Sequence, residues 1–328
     1  MNTPKHLDSQ APQASDLVCI GGAAINRKVH AKAALITGTS NPSVSHQTFG
    51  GVARNVAETL ARLQKSVALV SLVGDDAAGR AILRHLADLG VDVSQTSVSR
   101  TSATAEYIAI LNEANELHIG LAAMDAFEAI TPAVLESAWP HIAASRWMFA
   151  DCNLPQETLH ALLNRKASTD AQLAVNTVSV PKAVRLPNDL SAIDVLFTNA
   201  DEARAMLGDT GQAPEHLTGK LRERGAKGVV LTLGSEGHLV YDDTGITFVS
   251  SMEAATLDVT GAGDALMSGT LYGMMKGQSL VDASRLGAVL ATFTLESEQD
   301  VLPDLNPAWL ESQTDRLARI TSRKLPAP

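Results

Sequence analysis

The sequence predicts an α/β fold: a three-layer αβα sandwich with a mostly parallel central sheet and a small β-sheet lid. Three observations predict it. Short apolar runs bounded by turn residues alternate with amphipathic helical stretches along most of the chain. Two segments, about 27–49 and 91–122, break that rhythm with patterns of antiparallel strands. Hydrophobic residues make up 45% of the 328 residues and aromatics only 4%, so the core is packed mainly from Ala, Val, Leu and Ile. Length alone allows one large α/β unit or two smaller ones. The reading is a disordered polar leader over 1–16 and a single unit over 17–328.

In chain order, "LVCI" (17–20) is a strand that stops at Gly21-Gly22, where the backbone is expected to come close to a ligand. The segment 27–49 contributes to the lid. Residues 52–63 read as a helix with Val52, Val56, Leu60 and Leu63 on one face. "VALVSLVG" (67–74) is strand-like. The second lid segment follows, with "TAEYIAILNEANELHIGLAAM" folding back around Asn112 to Asn115. "RWMFAD" (146–151), "AQLAVN" (171–176), "AIDVLFTN" (192–199) and "GVVLTLG" (228–234) are the remaining strands, separated by helices as a parallel sheet requires. "RLARITSRK" (316–324) reads as the solvated face of a last helix.

The formal net charge of −10 leaves no basic field, which argues against a nucleic-acid polymer as partner. Nowhere do 18 consecutive apolar residues occur, and the first 16 residues contain no apolar core of a signal peptide. Cys19 and Cys152 sit far apart in apolar runs without zinc spacing, as expected of buried thiols in a reduced, cytoplasmic protein.

The most informative stretch is "DVTGAGDALMSGTLYG" (258–273). Gly261-Ala262-Gly263 precede Asp264 and a helical pattern in which Gly269 and Gly273 permit close packing. Unpaired N–H groups at such a helix start form an anion site. Asp264 could simply stabilise the helix dipole. A carboxylate beside an anion hole can also take the proton of a substrate hydroxyl while the N–H groups hold a phosphoryl group in transfer. The expectation is an alcohol-phosphorylating kinase without a Walker A loop, and a lid would keep water from the reactive phosphate. A dinucleotide-dependent oxidoreductase is excluded, because "GGAAINR" lacks the G-x-G-x-x-G spacing.

"GGVARNVAETLARLQ" (50–64) and "DVTGAGDALMSG" (258–269) together resemble the two signature regions of the ribokinase (PfkB-type) carbohydrate kinases. The resemblance implies that Asp264 is the catalytic base, that Gly261, Ala262 and Gly263 form the anion hole, and that Asp258 lies on a loop touching sugar and often a monovalent cation such as K+. It implies ATP and Mg2+ as cofactors, with Asn199 and Glu202 of "NADE" organising phosphates and water-bound Mg2+ and Thr232, Gly234 and Gly237 of "TLGSEG" facing ATP. Read by themselves, the first tetrapeptide is an Asn N-cap and the second a hairpin turn. Gly50 and Gly51 would admit the sugar and Asn55 would bond its hydroxyls, although Arg54 and Glu58 also read as an i,i+4 surface pair beside an exposed Asn55. A homodimer through the lid strands is a further implication of the resemblance.

"SNP" (40–42), "ADCN" (150–153) and "VNTVSVPKA" (175–183) look most like the pseudouridine kinase branch. The expected reaction is 5′-phosphorylation of pseudouridine, with ribose, adenosine and uridine as other acceptors and a non-catalytic sugar or nucleoside sensor as the alternative from another class. Asn41 and Asn153 could read a pyrimidine edge and Lys182 would lie near substrate or phosphate, while turn chemistry at Asn41 and helix capping by Asn153 are the local alternatives. The chain departs from the family pattern at Ala24, at Asn26, where an Asp usually grips ribose hydroxyls, at Ala122-Ala123 and at Asn176-Thr177. Replacing Asn26 by Asp is therefore expected to strengthen ribose-type binding if the site follows the family pattern, and to weaken catalysis if the amide reads something else.

Overall fold

The computed structural model describes residues 14–114, 116–209 and 211–326. Most of the leader expected over 1–16, and Asn115 in the expected lid turn, lie outside the described residues.

A nine-stranded sheet forms the middle layer. Across it the strands run in the order Ser322–Lys324, Gly245–Ser250, Gly237–Asp242, Val229–Thr232, Val195–Asn199, Gln172–Asn176, Trp147–Asp151, Leu17–Ile20, Val67–Val70. The last six are parallel to one another and the first three add an antiparallel edge. Strand residues alternate between two apolar cores: Val18 and Ile20 face one, with Leu135, Leu159, Ala203 and Leu217 from the helices, while Leu17 and Cys19 face the other, with Val56, Leu60, Leu266 and Val289. Helices therefore cover both faces, as the alternating sequence pattern requires. Cys19 and Cys152 are both free and buried.

A separate four-stranded sheet has the order Ser43–Gly50, Ala24–Ala31, Ala105–Leu111, Leu117–Ala123. It begins at Ala24, so Asn26 and Lys28 are on one of its strands. Two of its three pairings are antiparallel, but Ala24–Ala31 runs parallel to Ala105–Leu111 because two helices of the main body lie between them in the chain. Ser97–Ser99, inside the expected second lid segment, instead pairs with Leu72–Gly74 in a small sheet of its own. At the C-terminus, "RLARITSRK" is helical only to Arg319, and Ser322–Lys324 is an edge strand, not helix.

The helix Ala262–Met275 packs on Leu280–Leu295 at glycine contacts. A Cβ on Gly269 would lie 2.6 Å from the Gly287 Cα, and one on Gly273 would lie 2.8 Å from the Ala283 Cβ. Small residues at this spacing let the backbones meet. The loops that carry the site leave the C-terminal ends of the parallel strands, where open α/β sheets bind their ligands.

Candidate active site

The helix Ala262–Met275 starts at Gly261, whose φ of 82° is left-handed and whose added Cβ would lie 2.4 Å from the Asp300 carbonyl oxygen. No side chain caps that start, so its first N–H groups remain available to an anion. A Cβ added to Gly263 would meet nothing within 4 Å. Gly261 is thus dictated by the fold, whereas Gly263 leaves space in front of the helix.

Asp264 stands in the first turn of that helix, and Asn55 Nδ2 donates to its Oδ2 at 2.6 Å. Burial pushes its pKa up to about 7, with Asp300 and Asp151 adding repulsion and Asn55 opposing the rise. A carboxylate balanced between its two forms near neutrality can accept a proton and release it again.

Asn55 is not on an exposed surface. It lies on the helix Val52–Arg62, on which Ala53 to Leu60 are all buried, and Arg54 and Glu58, whose spacing also allowed an exposed pair, have side chains only 2% and 4% exposed. The apolar face described from the sequence is buried too, but a second, polar face packs inward. Arg54 donates to Glu58, to Asn55 Oδ1, to the Phe49 carbonyl at 2.5 Å and to the Gly50 carbonyl at 3.2 Å. Burial pushes the Glu58 carboxyl up, but Arg54, Arg62 and His85 together hold it below its ordinary range. Because Arg54 occupies Asn55 Oδ1, the amide nitrogen is turned toward Asp264.

Asp151, which ends the strand Trp147–Asp151, accepts from the N–H groups of Gly22 and Ala53, both at 2.9 Å, and of Asn153 at 3.0 Å. Added Cβ atoms at Gly21 and Gly22 would collide with the Asp151 carboxyl, 2.4 Å away, and with Asn153 Nδ2, 2.8 Å away. The close approach at Gly21-Gly22 includes the protein's own side chains. The same holds at Gly50 and Gly51: their added Cβ atoms would meet the Asn26 side chain at 2.5 Å and the Gly22 carbonyl at 2.4 Å.

Lys182 donates to Asn153 Oδ1, so these two expected substrate residues do meet. Asn153 does not cap the following helix, which starts behind Pro155. Asn41 behaves as the turn alternative describes: its amide bonds the Ile36 N–H at 2.8 Å and the carbonyls of Ile36 and Thr39 at 3.0 and 3.1 Å. Asp258 accepts from the Thr260 N–H and hydroxyl through Oδ1, while Oδ2 holds the ammonium of Lys28, which also reaches Thr260 Oγ1 at 3.1 Å.

Thr232, Gly234 and Gly237 line one cavity of about 710 Å³ together with Ala262 and Gly263. His238 lines it too, neutral because burial pushes its imidazole down to about 4. "TLGSEG" is both a hairpin turn and a wall of this cavity. Asn199 caps its helix in a reciprocal box: its Oδ1 accepts from the Glu202 N–H at 2.9 Å, while Glu202 Oε2 accepts from the Asn199 N–H at 3.1 Å. Glu202 also receives Asn199 Nδ2 at 2.8 Å and the Thr177 hydroxyl.

Sequence reasoning missed Lys28, Asp151, Thr177 and Asp300. Only Asp151 left a signal, an acidic residue ending an otherwise apolar strand at the edge where open α/β sheets bind ligands; the other three join the site across long separations.

A helix start with an acid in its first turn, next to a cavity walled by a glycine turn, matches the order of a known family. Residues 14–306 fit the model of the pfkB family of carbohydrate kinases. The chain belongs to that family. The kinase is 29% identical over 296 residues to Pseudouridine kinase of Escherichia coli strain K12, covering 89% of this chain and 94% of the relative. A carbohydrate kinase from Agrobacterium tumefaciens, 31% identical, superposes with a TM-score of 0.82 over 94% of this chain and 99% of that one. Arabidopsis thaliana ribokinase, solved with ribose and ATP, shares the fold at 19% identity, with a TM-score of 0.79 over 93% of this chain and 99% of that one. The protein is thus a phosphotransferase acting on a hydroxyl of a small sugar or nucleoside. Among the described residues no helix is long and apolar enough to cross a membrane.

Proposed function

We propose that this kinase places the γ-phosphoryl group of ATP on the 5′-hydroxyl of pseudouridine, or of a similarly built ribose-type acceptor, in the cytoplasm. The observation that carries the reading is Asp264, with a pKa near neutrality, beside an uncapped helix start that opens on the cavity walled by Thr232, Gly234 and Gly237. The branch assignment draws on the 29% identity to the pseudouridine kinase.

In this mechanism Asp264 accepts the hydroxyl proton as the acceptor oxygen bonds to phosphorus. The bond to the β-phosphate oxygen breaks and ADP leaves. The N–H groups of Ala262 and Gly263 hold the charge on the phosphoryl oxygens in transit. Asn199, paired with Thr232 on the neighbouring strand, and Glu202 would organise the phosphates from beside that cavity. Mg2+ would neutralise phosphate charge. Among the described residues no cluster of three or more His, Cys, Asp or Glu could cage a metal ion, and Glu202 already receives Asn199 and Thr177, so the ion would arrive on the phosphates and meet Glu202 only through water. Asp258 does not fit a monovalent-cation site, since Lys28 and Thr260 engage both of its oxygens.

Lid strand Leu117–Ala123 is an edge strand with every residue exposed, including Leu117, Ile119 and Leu121. A second copy of the chain would cover this apolar row, and light scattering on Ile119→Glu tests that dimer.

The test of function is ADP release with pseudouridine, uridine, adenosine and ribose. Turnover on one of them, lost by orders of magnitude in Asp264→Asn with ATP binding intact, is expected. Acceptor binding without phosphoryl transfer in the unaltered protein would instead identify a sensor.

A further inference from the structure

Asn26 and Asp300 meet although 274 residues separate them. Asn26 Nδ2 donates to Asp300 Oδ2 at 2.5 Å. Because the partner is a carboxylate oxygen, the nitrogen of the amide must face it, and this fixes which way Asn26 points. Its Oδ1 receives no hydrogen bond among the described residues and is the atom left to accept one.

Asp300 is otherwise poorly provided for. It is 3% exposed, and its Oδ1 is buried with no hydrogen-bond partner. A residue whose only task was to tie two segments together would be expected to have both oxygens satisfied, since orphan buried acceptors are rare and costly. Its backbone carbonyl lies over Gly261, at the start of the anion turn. Its charge acts on Arg54, Lys28 and Asp264. The carboxylate thus ties the lid strand to the segment that packs over the turn in front of the base.

We propose that Asn26 and Asp300 work as one hydroxyl-accepting pair in the acceptor site, with Asp300 the positioning residue and Asn26 Oδ1 the oxygen that takes the hydroxyl hydrogen. The pair divides between two residues what a single carboxylate at 26 would do: the negative charge sits at 300 and polarises the amide at 26. An amide bonded to a carboxylate is the better acceptor through its own oxygen. The substrate class that fits is a polyhydroxylated ring, not a cation, because the group presented to the ligand is neutral. The inference rests on the kinase reading and refines its acceptor side.

Of the outcomes open for Asn26→Asp, this favours loss over gain. Placing a carboxylate at 26 would set two acceptors 2.5 Å apart with no donor between them. The decisive experiment is the exchange: wild type, Asn26→Asp, Asp300→Asn and the double variant that swaps the two groups. Each is titrated calorimetrically with pseudouridine, uridine, adenosine and ribose, and acceptor KM, ATP KM and kcat are measured alongside. Each single variant is expected to weaken acceptor affinity by about tenfold or more, the scale of one charge-assisted hydrogen bond, while leaving ATP KM within about threefold. The double variant is expected to recover to within about threefold of wild type, because it restores one amide and one carboxylate in contact. A double variant that loses the product of the two single losses overturns the proposal, as does an ATP KM that moves as far as the acceptor affinity. Calorimetry needs no turnover, so failure of the pair is seen separately from failure of Asp264 as base.

Discussion

Replacing Asn55 by Leu removes one hydrogen bond from the base and keeps a side chain of similar length in the space. The lost contact is the 2.6 Å bond from Asn55 Nδ2 to Asp264 Oδ2, which lowers the Asp264 pKa against the rise caused by burial. Hydrogen bonds to a charged group contribute about 1.5–3 kcal/mol. At about 1.4 kcal/mol per pKa unit, Asp264 should rise by about one to two units, from about 7 to about 8–9. A base works only when ionised, so the acid limb of kcat/KM should move to higher pH by the same amount. Near pH 7 that is a loss of roughly five- to fiftyfold, shrinking to a few-fold above about pH 9. Arg54 keeps Glu58 and the carbonyls of Phe49 and Gly50, so the buried network survives the change. The assay is ADP release from about pH 5.5 to 9.5 with the best acceptor at subsaturating concentration. An acid limb that stays in place, with the same loss at every pH, would refute the reasoning and put Asn55 on the substrate alone.

Three further outcomes are expected. Gly263→Ala adds a methyl group where nothing lies within 4 Å, in a helix, so it should raise the melting temperature by about 2 °C while weakening ATP; an unchanged ATP KM would remove the turn from the phosphate site. Glu58→Gln leaves the Arg54 charge buried without its counter-ion and should cost about 3–5 kcal/mol in urea unfolding; a cost below about 1 kcal/mol would show that the pair is not buried in solution. Lys28→Met strands the Asp258 carboxylate in a pair that is partly exposed on both sides, so about 1–3 kcal/mol is expected by the same measurement, between the values for exposed and buried pairs; no change would mean that Lys28 does not anchor the lid strand to the anion turn.

The parts of the site legible in the sequence are those whose function is carried by neighbours in the chain. Gly261, Ala262, Gly263 and Asp264 are consecutive, and a helix start exposes its N–H groups through local geometry alone. Asn199 and Glu202 stand three apart and form the capping box that this spacing allows. The strands were legible for a similar reason, since a buried parallel strand is a short apolar run wherever it lies. Local patterns were also where the sequence left alternatives open: Arg54 and Glu58 at i,i+4 look the same on a wet helix face as on a dry one.

The sequence by itself therefore determined the layered α/β body, the glycine-led helix start and the acid in its first turn. The tertiary structure alone decided how that acid is tuned and which distant residues meet around it. Asn55 meets Asp264 across 209 residues, Lys28 meets Asp258 across 230, and Asn26 meets Asp300 across 274. Burial and long-range Coulomb interactions set a pKa or fix an amide's direction, and neither leaves a periodicity or spacing in the chain, because both depend on which distant segments the packed sheet and helices bring together.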